Sequence, residues 1–140
     1  MATWDEVKMK LITRDTDYAI NALYLMAEDA DRVYTVTELT KKLNIPRAFL
    51  RKILQILNRK GLVRSFKGKG GGFKLNADPG KILLLEVMEV FQGKFKLNEC
   101  ILNKSACPGQ RTCALKKKID TVEEYVESEL KAITLGSLMQ

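Results

Sequence analysis

Thr35 to Asn76 reads TVTELTKKLNIPRAFLRKILQILNRKGLVRSFKGKGGGFKLN, and this stretch decides the fold. Thr35-Val36-Thr37-Glu38 is a capping box. The Thr35 hydroxyl accepts from an amide in the first helical turn, and the Glu38 carboxylate accepts from the Thr35 amide. It opens a short helix through Leu43. Asn44 and Ile45 then turn, and Pro46 suits the first turn of a second helix, where its missing N–H has no partner to lose. That helix runs to about Lys60, and Gly61 supplies a left-handed C-terminal cap. Leu50, Ile53, Leu54 and Leu57 form its apolar stripe, while Arg47, Ala48, Arg51, Lys52, Gln55 and Arg59 fall on the outward side. Two short helices joined by a tight turn, the second outwardly basic, form a helix-turn-helix. In such a unit the second helix lies in the DNA major groove, with its first turns nearest the base edges. Thr37 and the six outward residues are the candidate DNA contacts on the helices.

The stretch continues into two short strands, Leu62-Val63-Arg64-Ser65-Phe66 and Phe73-Lys74-Leu75-Asn76, around the tip Lys67-Gly68-Lys69-Gly70-Gly71-Gly72. Glycines let the backbone turn sharply and approach a phosphate closely, and the two lysines add charge. The expectation is a hairpin wing, with Lys67, Lys69, Gly70 and Gly71 as further DNA contacts. A nucleotide phosphate loop is excluded: no Gly-Lys-Ser/Thr ending is present, and a strand follows the glycines instead of a helix.

Charge agrees with this reading. Leu39 to Ala77 holds eleven basic residues and no Asp or Glu, and the rest of the 140-residue chain carries 13 basic against 17 acidic residues. The net charge of +7 is therefore one concentrated cation on a mildly acidic protein. An ordinary solvated surface mixes both signs. A long unneutralised run points to an anionic polymer, with nucleic acid ahead of a membrane surface.

Upstream, Thr13 to Ala30 reads as a helix with Ala19, Ala22, Leu23, Met26 and Ala27 on one face. Downstream, Asp78 and Pro79 cap a helix from roughly Lys81 to Phe91 that ends at Gly93. Lys94 to Arg111 is irregular. A long helix then spans about Thr112 to Thr134. Its residues Leu115, Ile119, Val122, Val126, Leu130 and Ile133 step by threes and fours into a narrow seam of the coiled-coil kind. A dimer is expected through it, because symmetric readers gain affinity from two half-sites.

No run approaches the roughly 18 apolar residues of a membrane span. Asp5 and Glu6 stand where a signal peptide would be basic and then apolar, so the expected location is the cytoplasm. The chain contains no histidine. A Ser–His–Asp set is therefore impossible and no paired-carboxylate motif stands out, which argues against an enzyme. The expected organisation is a flexible arm over residues 1–8, a winged helix-turn-helix over 9–92, a cysteine-bearing loop over 93–111, and a dimerisation helix with tail over 112–140. The fold class is mainly α with a small β-hairpin wing.

Cys100 and Cys107 lie within that loop and Cys113 just past it, spaced Cys-x6-Cys-x5-Cys in a segment that includes Pro108 and Gly109. An odd cysteine count argues against a disulfide framework and toward metal or redox chemistry. Soft thiolates suit iron–sulfur clusters and zinc. Structural zinc calls for four protein ligands, and no histidine completes a set. An iron–sulfur cluster, simple redox thiols, zinc and inert cysteines all stay open on spacing alone.

Met9 to Leu138 resembles the Rrf family of bacterial winged-helix regulators. The resemblance rests on Thr16-Asp17-Tyr18-Ala19, Ile45-Pro46-Arg47-Ala48-Phe49-Leu50, and the run Leu57-Asn58-Arg59-Lys60-Gly61-Leu62-Val63-Arg64-Ser65. The glycine-rich Lys67 to Phe73, the three cysteines and the ending Ile133-Thr134-Leu135-Gly136-Ser137-Leu138 complete it. It implies a homodimer whose long C-terminal helices cross, bound to a pseudo-palindromic double-stranded operator. It also implies a [2Fe–2S] or [4Fe–4S] cluster on Cys100, Cys107 and Cys113, whose state sets DNA affinity in response to iron, nitric oxide or redox conditions. Some members complete the cluster with a histidine three residues past the last cysteine. Here that place is Lys116, a poor ligand. Others use an aspartate near the start of the first helix, donated by the partner subunit, and Asp17 matches that position. Its alternative role is a first-turn carboxylate stabilised by the helix dipole. Members without the cysteines keep the DNA binding and respond through a partner protein, so control by a partner or by thiol oxidation is the rival reading.

Overall fold

The computed structural model describes residues 10–97 and 114–139. The expected arm over 1–8, all three cysteines and the start of the long helix at Thr112 lie outside these residues.

α1 (Arg14–Ala27) begins at Thr13, whose hydroxyl accepts from the Thr16 amide. Its stripe Ala19, Ala22, Leu23 and Met26 is fully buried. α2 (Val36–Leu43) opens on the expected capping box at Thr35 and Glu38 and closes on Asn44 in the left-handed region, φ 54°. Asn is among the few side chains that tolerate this conformation, so the turn into the next helix is short. α3 (Arg47–Arg59) starts at Pro46 and buries Leu50, Ile53, Leu54 and Leu57. These three helices share one core, with Leu39, Val63 and Leu75 closing it. Burying each leucine contributes about 1.5–3 kcal/mol.

β1 (Val63–Phe66) and β2 (Gly72–Leu75) pair antiparallel with Val63 opposite Leu75 and Ser65 opposite Phe73. Period-two alternation turns Val63 and Leu75 into the core and leaves Arg64, opposite Lys74, on the far face. Tyr34 bridges Phe73 through paired hydrogen bonds of 2.7 and 2.8 Å, fastening the hairpin to the start of α2. Gly72 makes that approach feasible: a Cβ there would stand 2.2 Å from the Tyr34 carbonyl oxygen.

The region after the wing departs from the sequence expectation. A single helix over Lys81–Phe91 does not form. A 3-10 turn (Pro79–Lys81), capped by Asp78, is followed by extended residues Ile82 and Leu83, and α4 (Leu84–Gln92) begins only then. The interruption has a tertiary cause: the Leu84 amide bonds the Ile133 carbonyl and the Leu135 amide bonds the Ile82 carbonyl. Gly93 ends α4 at positive φ, as read.

α5 (Ala114–Lys131) stops short of the expected Thr134, and Thr134 instead caps α6 (Leu135–Leu138). The expected seam divides. Leu130 is buried and Val126 half-buried against Leu85 and Met88 of α4. Leu115, Val122 and Tyr125 remain 67, 49 and 68 % exposed. Of the narrow stripe, α4 covers only the C-terminal turns. Glu123, nearly buried, pairs with Lys96 at 3.3 Å and ties the chain after α4 to α5.

Candidate nucleic-acid interface

α3 presents its cations because the core claims its other side. With Leu50, Ile53, Leu54 and Leu57 facing inward, the 3.6-residue period forces Arg47, Ala48, Arg51, Lys52, Gln55 and Arg59 outward, and all six are exposed. Thr37, exposed in the first turn of α2, accepts a hydrogen bond of 3.3 Å from Arg47 Nη1. The first turns of both helices are thereby linked. No ion pair neutralises Arg47, Arg51, Lys52 or Arg59 among the described residues.

The capping box sets the angle at which α2 delivers this end. The Thr35 amide donates to Glu38 and holds its carboxyl below the usual carboxylate range, with Arg32 and Lys42 adding attraction against the opposing effect of desolvation. Arg32 pairs with Glu38 and stacks 4.7 Å from the Tyr34 ring centroid. Arg32 is therefore consumed by the fold.

At the wing, Lys67, Lys69 and Gly70 are exposed and Gly71 half-buried. Gly68 and Gly70 sit at φ 89° and 80°, conformations that L side chains rarely adopt. The Gly71 amide donates to the Gly68 carbonyl at 3.0 Å, and a Cβ at Gly71 would fall 2.3 Å from the Phe66 carbonyl oxygen. Gly71 is required by the turn itself, independently of any ligand.

One contact escapes the helical pattern. Phe49, on α3, is 41 % exposed, and the Arg14 guanidinium lies 5.0 Å from its ring centroid. An aromatic on the polar side of a basic helix was the available signal. The contact joins the start of α1 to the first turn of α3. Asp17 lies one turn away, exposed, and its carboxylate makes no hydrogen bond or ion pair among the described residues. Among those residues no cluster of His, Cys, Asp or Glu could hold a metal. No described helix is long and apolar enough to cross a membrane.

Three helices, a two-stranded wing and an unneutralised cationic face define a winged helix-turn-helix of the transcription-regulator class. The chain belongs to the Rrf2 family: the family model, described as an iron-dependent transcriptional regulator, matches residues 12–140. A relative, the HTH-type transcriptional regulator NsrR of Bacillus subtilis, is 33 % identical over 134 residues, 94 % of this chain and 91 % of that protein. Among solved structures, IscR of T. potens superposes with TM-score 0.71 at 19 % identity, covering 98 % of this chain and 89 % of its own. CymR of B. subtilis, titled the global cysteine regulator, gives 0.73 at 21 %, covering 94 % and 97 %. These likenesses carry the mainly helical fold with its two-stranded hairpin.

Proposed function

We propose that the chain is a cytoplasmic, homodimeric transcriptional regulator that reads a pseudo-palindromic duplex through α3 and the wing, with DNA affinity governed by its three cysteines. The observation that carries the DNA half is the exposed, unneutralised face formed by Arg47, Arg51, Lys52 and Arg59 beside Lys67 and Lys69. Arg47 and Arg51, nearest the start of α3, contact base edges, while Lys52, Arg59 and the wing lysines meet phosphates. Ala48 and Gln55 lie between them, and Thr37 orients Arg47. Gly70 and Gly71 keep the wing tip thin enough to approach the backbone.

For the sensor half, Cys100, Cys107 and Cys113 would hold an iron–sulfur cluster, which supplies a redox- and ligand-responsive centre. In a chain without histidine, Asp17, exposed and with a carboxylate that has no partner among the described residues, fits the fourth-ligand role from the partner subunit. The second reading keeps the DNA binding and assigns control to thiol oxidation or a partner protein. The similarity to a cysteine regulator supports it equally well.

One absorption spectrum of protein prepared without oxygen separates the two. The cluster reading expects visible sulfur-to-iron bands that disappear in Cys100→Ala, Cys107→Ala and Cys113→Ala and become labile in Asp17→Ala. A colourless wild type after anaerobic supply of iron and sulfide would remove the cluster and leave the second reading standing.

A further inference from the structure

The far face of the wing, turned away from the core, forms one wall of an open groove of about 490 Å³. Opposite it run Ala30 and Asp31, from the connection between α1 and α2, and Ala77 to Pro79, from the connection toward α4. Phe66 and Pro79 give it its apolar part. A volume of this size lies within the range of small-molecule sites, about 300–1,000 Å³.

The charge arrangement in the groove is unusual. Arg64 and Lys74 stand directly opposite each other across the hairpin, and both line the groove. Like charges facing each other across a strand pair destabilise it. The two carboxylates at the rim relieve this poorly. Asp31 projects fully into solvent and meets Lys74 only at 3.9 Å. The Asp78 carboxylate accepts from the Gly80 amide at 2.8 Å and makes no ion pair with either cation among the described residues. Arg64 makes no ion pair among the described residues, and its guanidinium rests 5.3 Å from the Phe66 ring centroid. Of the two cations lining this concavity, Lys74 has only the distant Asp31 and Arg64 has no ion pair among the described residues, and a concavity focuses the field of such charges.

We propose that this groove binds a small organic anion, a carboxylate or phosphate monoester on a compact apolar body. Its head sits between Arg64 and Lys74, and its body lies along Phe66 and Pro79. Such a ligand would bridge the wing to the α1–α2 connection and so brace the wing against the helix-turn-helix. The site is independent of the cysteines and of the recognition face.

Phenyl phosphate and phenylacetate serve as probes, with inorganic phosphate for the head alone and benzyl alcohol for the body alone. The test is titration of the full-length protein, without DNA, followed by backbone amide NMR. Either or both organic anions should produce saturable shifts at Arg64, Phe66, Lys74 and Ala77, which tells carboxylate from phosphate preference. Inorganic phosphate should bind more weakly, and benzyl alcohol should leave these amides unmoved. Arg64→Gln and Lys74→Gln should each weaken binding roughly tenfold, as expected for loss of one charge-assisted contact. Arg64→Lys, which keeps the charge, should retain most of it and guards against a folding defect. Equal response to benzyl alcohol, or no saturable shift with any anion, would overturn the proposal. So would an Arg64→Gln/Lys74→Gln protein whose only change is a shallower salt dependence of DNA binding, because the cations would then belong to the DNA backbone.

Discussion

α3 and α5 are both amphipathic helices, yet they hide and show opposite things. α3 buries four large aliphatic residues in 13 and offers the solvent arginine, lysine and glutamine. α5 buries only Glu123 and Leu130 in 18 residues and leaves Leu115, Val122 and Tyr125 in water. The first helix has satisfied its apolar stripe and lacks counter-charge. The second has more apolar surface than its own domain covers. One surface therefore suits a polyanion and the other a second apolar surface, as the proposed dimeric DNA reader requires.

The comparison breaks most visibly at α5. Val122→Glu with Tyr125→Glu places charges in the exposed stripe, and the dimer should weaken by about 3–5 kcal/mol, the cost of an uncompensated charge in an interface. Sedimentation equilibrium should then find monomer at concentrations where the wild type is dimeric. Circular dichroism should stay unchanged, because neither residue belongs to the core. A dimer of undiminished stability would move the subunit contact elsewhere.

At α3 the expected effect is smaller and depends on sequence. Arg47→Ala and Arg51→Ala should each cost about 1–3 kcal/mol on the preferred operator and much less on random duplex, the value of a bidentate guanine contact. Competition binding with both duplexes reads the difference. Equal losses on both would reduce these arginines to backbone contacts.

The smallest effect lies at the α2 cap, which orients the start of α3. Thr35→Ala should cost about 0.5–2 kcal/mol in chemical denaturation. Glu38 adds a pH dependence. Its carboxyl is held below its ordinary value, so its contribution is present above that value and is lost as pH falls through the lower folded-state pKa. Glu38→Gln should flatten the acid limb of the stability profile in that window. An unaltered limb would assign the acid sensitivity to other carboxylates.

How far each region could be read from sequence follows the range of its signals. The helix-turn-helix and wing are governed by neighbours: Thr35 with Glu38, Asn44 and Gly61 at helix ends, glycines at the tip. Every one of those local cues agrees with the tertiary result. The break at Ile82–Leu83 was illegible because its cause lies about fifty residues away, in the backbone of Ile133 and Leu135. The division of the α5 seam was hidden for a related reason. Periodicity shows that Val126 and Leu130 face the same way as Val122, but not that α4 reaches only the last turns. Phe49 beneath Arg14 and the Arg64–Lys74 pair likewise appear only when distant segments meet.

The most direct test of the central claim is the salt dependence of duplex DNA affinity, measured by fluorescence anisotropy over a series of potassium chloride concentrations. Each neutralised phosphate contributes roughly −0.9 to the slope of log affinity against log salt. Wild type should show a steep slope, and Lys67→Ala/Lys69→Ala should flatten it by about 1.8 on operator and random DNA alike. A wild-type slope near zero would contradict the account, since the cationic face of α3 and the wing would then have no polyanion to meet.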